Sequence, residues 1–419
     1  MTETLTATYR VVTPLFMSGA DQSRAELRLP SIKGALRFWW RALAWERLGG
    51  DLEQIRRQEA ELFGSTDTGQ AGVLMRLRAP EVTQLSKGVV LKDGGRVVGE
   101  GARYLGYGVM EAFASRNKGT QEGQLTRACL AAPFDFTLQV CFKPNLTPKQ
   151  RDGIVDALKL LGTVGALGSK ARKGYGSLVL KEYQDGEKVW QAPQDIIAIK
   201  EELEKLKSEF KLRTDKPPYT AFSRESKILL VEGEVSQSPL ELLNRIGREM
   251  VFYRSWGNNG KVFDQNAEQN FPDDHDLMKA IASGGTSSVS IEHPERVAFG
   301  LPHNYFFSST KDKAEVKAVD ATNPRNPTAI ERRASPLQIH IHQIGDTPIA
   351  VLTFLPSQFL PANAKIRLIG KQQKVVSVDT SNNLWQPIHE FFERMKNVRG
   401  QPHLQRKEDF GRVVEVRYA

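Results

Sequence analysis

Residues 147–183, TPKQRDGIVDALKLLGTVGALGSKARKGYGSLVLKEY, hold a helix, a loop and a strand in one run. From Thr147 onward the chain reads as a capped helix with Ile154, Val155, Leu158 and Leu161 turned inward, and YGSLVLKEY (175–183) reads as a strand. Between them, Gly162, Gly165, Gly168, Gly174 and Gly176 surround Ser169, Lys170, Arg172 and Lys173. Glycine lets backbone N–H groups approach an anion closely, and the basic side chains neutralise it. The alternative is a glycine-rich turn carrying solvated cations. No Gly-Lys-Ser/Thr triplet stands at P-loop spacing, and GYGSLV does not make a dinucleotide fingerprint.

Working outward, TLTATYRVVT (4–13) alternates Leu5, Ala7, Tyr9 and Val11 with polar neighbours, the period of a half-buried strand. Ser31 stands where a helix cap belongs, and residues 32–48 place Leu36, Trp40 and Leu43 on one helical face. Strands follow at 72–78 and 134–142, separated by a Gly-rich insertion near 80–125 that contains KDGGRVVGEGARYLGYG. The order is βαββαβ, that of a ferredoxin-like or RRM-like domain, over residues 1–185.

A charged helix at 194–211 and a Lys-Pro-Pro linker occupy the boundary at 186–225. A second domain, 226–419, is expected to run through a strand at KILLVEGEV, helices at 238–254 and 273–283, strands at 336–344 and 348–355, a helix at 382–396 and a strand at 412–418. The predicted fold class is therefore α+β, with two ferredoxin-like domains in tandem and insertions in them.

The 419 residues are 40% hydrophobic and 26% charged, an ordinary globular composition, and 58 Lys and Arg against 49 Asp and Glu leave a net charge of +9 that suits a polyanionic partner. Apolar runs such as IAVLTF (349–354) fall far short of the ~20 residues of a membrane span. MTETLTATYR has no basic segment leading into an apolar core, so the expected location is cytoplasmic. Cys129 and Cys141 are too few for a disulfide framework and read as reduced thiols.

In RLPSIKGALRFWWRALAW (28–45), Lys33, Arg37 and Arg41 drift about 40° per step round a helix and form one cationic stripe, while Leu36, Trp40 and Leu43 point to the core. Such a stripe can follow a phosphate chain; the plain alternative is a solvated face beside a half-buried Trp39. Farther on, His303 sits in FGLPHNYFF (299–307), where it fits a base, a phosphate or a structural hydrogen bond equally. His340 and His342 in ERRASPLQIHIHQIG (331–345) share one side of a strand and read as part of a polar face. Asp273, Asp274 and Asp276 cluster at a helix start, where acidic residues are stabilised by the helix dipole. No Ser-His-Asp or HExxH pattern occurs, and no metal or other cofactor is expected.

Taken together, TPLFMSGADQSRAELRLPSIKGALRFWWRAL (13–43), YLGYG (104–108), LGTVGALGSKARKGYGSL (161–178) and RRASPL (332–337) resemble the RAMP subunits of type III CRISPR effector complexes, in particular the first-numbered RAMP subunit of the type III-B, or Cmr, complex. The resemblance implies paired ferredoxin-like domains that hold CRISPR RNA toward its 3′ end among other RAMP subunits and help capture complementary target RNA. It implies RNA contacts at Lys33, Arg37, Arg41, Gly165, Gly168, Ser169, Lys170, Arg172 and Lys173, with Arg332 and Arg333 as further candidates. Trp39 or Tyr175 would then stack on a base.

Two other functions compete with this non-catalytic subunit. Related RAMP proteins process CRISPR RNA, but no histidine precedes His275, so the half with the strongest RNA signature lacks the usual general acid or base. The other is a structural end-cap that binds protein neighbours through the charged helix and touches RNA only incidentally.

Overall fold

In the computed structural model, which describes residues 3–67, 69–207, 210, 216–323, 328–378 and 384–417, the chain forms two compact units of mixed α and β structure. The first comprises Met1–Arg248, Gln338–Leu355 and Phe410–Ala419; the second comprises Glu249–Leu337 and Pro356–Asp409.

The first unit opens with β1 (Glu3–Val11), whose Leu5, Ala7, Tyr9 and Val11 are fully buried while the intervening residues face outward. Next comes α1 (Leu29–Arg47). It starts earlier than Ser31 predicts: Arg28 is the N-cap, with no side-chain cap, and Pro30 lies in the first turn. Proline lacks an N–H and its φ is already helical, so it fits where that donor would go unused.

A second helix, α2 (Leu52–Phe63), was not anticipated; Asp51 caps it by accepting from the Gln54 N–H at 2.9 Å. The chain continues through β2 (Val73–Arg78), the short α3 (Glu100–Leu105) inside the insertion, β3 (Phe134–Phe142), α4 (Pro148–Thr163), β4 (Leu178–Asp185) and β5 (Lys188–Gln191). Thr147 caps α4 in a reciprocal box with Gln150. The five strands pair antiparallel in the order β2-β3-β1-β4-β5.

The rest of this unit is α5 (Ile196–Lys207), β6 (Lys227–Glu232), the first turns of α6 (Pro239–Arg254), β7 (Leu337–Ile344), β8 (Thr347–Phe354) and β9 (Val413–Val416). A second, four-stranded sheet runs β7-β8-β6-β9. Helix α5 buries Ile196, Ile199 and Leu203 and packs against β9 and β6. Residues 208–209 and 211 of the helix predicted at 194–211, 382–383 of that at 382–396, and 418 of the last strand lie outside the described residues.

Expected domains and observed units divide the chain differently. Residues 249–337 and 356–409, which interrupt the second strand set, form their own unit around a sheet of His303–Phe306, Lys313–Asp320, Ala364–Ile369 and Gln373–Val376, with Thr328–Ile330 paired to the second of these. In this unit Asp274 does not cap its own helix, Pro272–Ser283. Its buried carboxylate accepts the backbone N–H groups of Glu295 and Arg296 at 2.6 and 3.2 Å and the Arg296 Nε at 2.8 Å, fixing the short turn Glu295–Phe299. Arg394 lies fully buried here, with Nε 2.7 Å from Glu249 and Nη1 2.7 Å from Glu268.

Candidate nucleic-acid interface

After α4 ends at Thr163, the chain turns through positions that leave no room for a side chain. A β-carbon on Gly165 would stand 2.5 Å from Trp39 Nε1, and one on Gly168, where φ is +77°, would stand 2.5 Å from the Phe16 carbonyl oxygen. Only glycine meets both demands, the close approach and the left-handed backbone. The loop is then fixed by its main chain. Ser169 N–H donates to Phe16 O at 2.8 Å, Gly176 N–H to Pro14 O at 3.0 Å, Lys173 N–H to Lys170 O at 2.7 Å, and Ile339 N–H of β7 to Arg172 O at 3.0 Å.

This loop meets α1. The Arg172 guanidinium lies 5.5 Å from the centre of the Phe38 ring, and burial draws its pKa below the usual arginine value. At about 100° per residue, Phe38 sits about 60° round the helix from Arg41, so loop and stripe flank one half-buried face. Lys33, Arg37 and Arg41 are half-buried along that face. Arg37 and Arg41 are not free cations: Glu59 of α2, itself 8% exposed, takes a hydrogen bond from Arg37 and lies 3.6 Å from Arg41 Nε.

Both predicted stacking residues are core residues. Trp39 is 2% exposed, with its ring 5.1 Å edge-on from Phe38 and 6.5 Å from Phe222. Tyr175 is fully buried, donates its hydroxyl to Ala102 O at 2.8 Å and meets Phe16 edge-on; burial raises its pKa far above the ordinary tyrosine value. Neither ring can reach a base without opening the core, which corrects the expectation that they stack.

The sequence reading missed two neighbours of the loop. Arg127 Nη1 donates to Ser169 Oγ at 2.9 Å, and Tyr107, in the YLGYG turn, is 69% exposed. The turn is close to Lys170, whose Nζ lies 3.9 Å from where a β-carbon on Gly108 would stand. The signal in the sequence was an aromatic between two glycines.

The histidine pair is not on a polar face. His340 and His342 are 0% and 2% exposed, and their rings are 5.8 Å apart. His340 Nδ1 lies 2.7 Å from Gly165 O; since a carbonyl only accepts, Nδ1 carries the proton. Burial, together with His342, holds His340 well below the ordinary histidine pKa against the pull of that carbonyl, and burial brings His342 to about 4. The pair therefore props the root of the loop as neutral rings.

His303, Arg332 and Arg333 belong to the second unit. His303 Nε2 is 3.4 Å from Arg254 Nη2. Arg332 is exposed, whereas Arg333 is committed internally: Nε donates to Phe359 O at 2.5 Å and Nη2 to Ser357 Oγ at 2.9 Å, with the guanidinium 5.6 Å from the Phe359 ring centre. Among the described residues, no three His, Cys, Asp or Glu side chains cluster as metal ligands, and no helix is long and apolar enough to cross a membrane.

Over the region of the five-stranded antiparallel sheet, the two long helices and the cationic Gly-rich loop, residues 8–179 match the RAMP superfamily. The relatives are more particular. The chain is 29% identical over 175 residues to the CRISPR system Cmr subunit Cmr1-2 of Pyrococcus furiosus, covering 40% of this chain and 89% of that protein. It is 51% identical over 41 residues to Cmr1-1 of the same organism, covering 10% of this chain and 12% of that one. The crystal structure of apo Cmr1 from Pyrococcus furiosus matches 99% of both chains with a TM-score of 0.50 at 17% identity, a likeness of fold.

Proposed function

We propose that this chain is a non-catalytic RNA-binding subunit of a type III-B CRISPR ribonucleoprotein in the cytoplasm, holding CRISPR RNA toward its 3′ end beside other RAMP subunits and helping to capture target RNA. The observation that carries the reading is the loop 165–173: main-chain hydrogen bonds to Phe16 and Ile339 and from Lys173 to Lys170 fix its backbone, and Arg172 lies over Phe38 of α1. A fixed backbone with cations on one side positions a phosphate chain without reading its bases. The RAMP match over the same residues and the relatedness to Cmr1-2 support it. A tandem ferredoxin-like architecture is part of this reading, because both sheets place their βαββαβ strands in the order 2-3-1-4.

Against nuclease action, the histidine-free stretch before His275 is joined in the first unit only by His340 and His342, which are buried and neutral. The end-cap alternative keeps only the outer face of α5, since its other face is packed into the core.

The test is a fluorescence-anisotropy titration of the protein with labelled single-stranded RNA over a salt series, with the recovered RNA run on a gel. Alanine variants at Lys33/Arg37/Arg41 and at Lys170/Lys173 run alongside. Intact RNA, weaker binding and a log–log salt slope shallower by about 0.7 per lost phosphate contact are expected. Cleaved RNA would replace this reading with a nuclease, and unchanged binding in both variants would leave the end-cap.

A further inference from the structure

We propose that Tyr107 is a nucleobase-stacking residue, holding an unpaired base of single-stranded RNA on its ring while the adjoining phosphates meet Lys170 and Arg127; this rests on the RNA-binding reading above. The turn that carries Tyr107 is built to keep one ring outside. Leu105, Val109 and Met110 around it are 3%, 2% and 1% exposed, whereas Tyr107 is 69% exposed and has no ring partner among the described residues.

The turn is also held by its main chain. Gly106 N–H donates to Ala102 O at 2.8 Å, Tyr107 N–H to Tyr104 O at 3.2 Å and Met110 N–H to Gly106 O at 3.2 Å. Its underside rests on Tyr175: a β-carbon on Gly106 would stand 3.1 Å from the Tyr175 hydroxyl, and that hydroxyl donates to Ala102 O. The buried tyrosine thus fixes the turn, and the exposed one is what the turn presents.

The neighbourhood selects a nucleic acid over a protein. Lys170 Nζ lies near Gly108, the residue after Tyr107, Thr126 Oγ1 donates to Gly108 O at 3.2 Å, and the adjacent Arg127 donates to Ser169. An aromatic face flanked by cations on a fixed backbone is the arrangement that binds single strands, the ring taking a base of any sequence and the cations the chain's phosphates.

The experiment uses the full-length protein and single-stranded RNA carrying 2-aminopurine at successive positions, read by fluorescence and anisotropy. The wild type is expected to quench the probe at one position. Tyr107→Ala should abolish the quenching and weaken binding about 10-fold with an unchanged salt slope, because the ring carries no charge, while Tyr107→Phe retains both. Because the side chain is exposed, thermal unfolding should match the wild type. Quenching and affinity that persist in Tyr107→Ala would overturn the proposal and leave the RNA-binding reading standing. A Tyr107→Ala protein that binds RNA normally but no longer assembles with its partner subunits would reassign the ring to a protein contact. Wild-type protein that binds no RNA at low salt would overturn the reading and the proposal together.

Discussion

Arg127 donates to the hydroxyl of Ser169 across 2.9 Å, tying the chain that leaves the 80–125 insertion to the Gly-rich loop. The guanidinium is only half-buried, so it retains donors for a phosphate. Arg127→Ala is expected to weaken single-stranded RNA binding several-fold and to lower the salt slope by about 0.7, whereas Ser169→Ala leaves the slope unchanged because it removes no charge. Parallel salt titrations check both.

Glu59 sets how available the α1 stripe is. With its carboxylate between Arg37 and Arg41, part of their charge is already neutralised. Glu59→Gln should tighten RNA binding and steepen its salt dependence, by up to about 0.7 for each arginine released. The accompanying loss of stability should be about 1 kcal/mol or less, since both arginines are 43% exposed and screened by solvent. A denaturant melt alongside the titration reads both effects, and equal RNA affinity in the two proteins would place the stripe outside the interface.

The buried histidines make stability fall in mild acid. Both have depressed pKa values in the folded chain, so below about pH 6.5 the unfolded state binds more protons and folding loses about 1.4 kcal/mol per pH unit for each histidine. For His342 the loss continues down to its folded value of about 4 and then levels off. Urea unfolding between pH 7.5 and pH 4.5 should show this slope, and His342→Gln should make it shallower.

Loop geometry predicts that Gly168→Ala fails by strain. A φ of +77° with a β-carbon 2.5 Å from Phe16 O should cost about 1–3 kcal/mol and displace Ser169 and Lys170. Thermal unfolding and RNA affinity are expected to fall together.

Trp39 and Tyr175 should register in stability and not in direct RNA contact. Tyr175→Phe loses one buried hydrogen bond, about 1 kcal/mol, and Trp39→Ala opens a core cavity at about 3–5 kcal/mol. Tyr175→Phe in particular should keep the wild-type salt slope, since no charge is removed.

Much of the architecture was legible in local pattern. The alternation of Leu5, Ala7, Tyr9 and Val11 marks β1, and the span 134–142 and the Thr147 cap of α4 appear where spacing and cap chemistry place them. Helix α2 was overlooked although Asp51 as cap, with Ile55, Glu59 and Leu62 on one face, carries the signal. That omission hid Glu59, and with it the pairing of Arg37 and Arg41.

By itself, then, the sequence determined the elements, the cation-bearing loop and the glycines it requires, because strand alternation, helix caps and backbone permissiveness act over a few residues. Only the tertiary structure decided which aromatics are available. Trp39 and Tyr175 are enclosed by Phe222, Phe16 and Ala102, from distant parts of the chain, while Tyr107 is left outside by a turn resting on Tyr175. Burial depends on contacts far apart in sequence, and so does the neutrality of His340 beneath Gly165, 175 residues away along the chain.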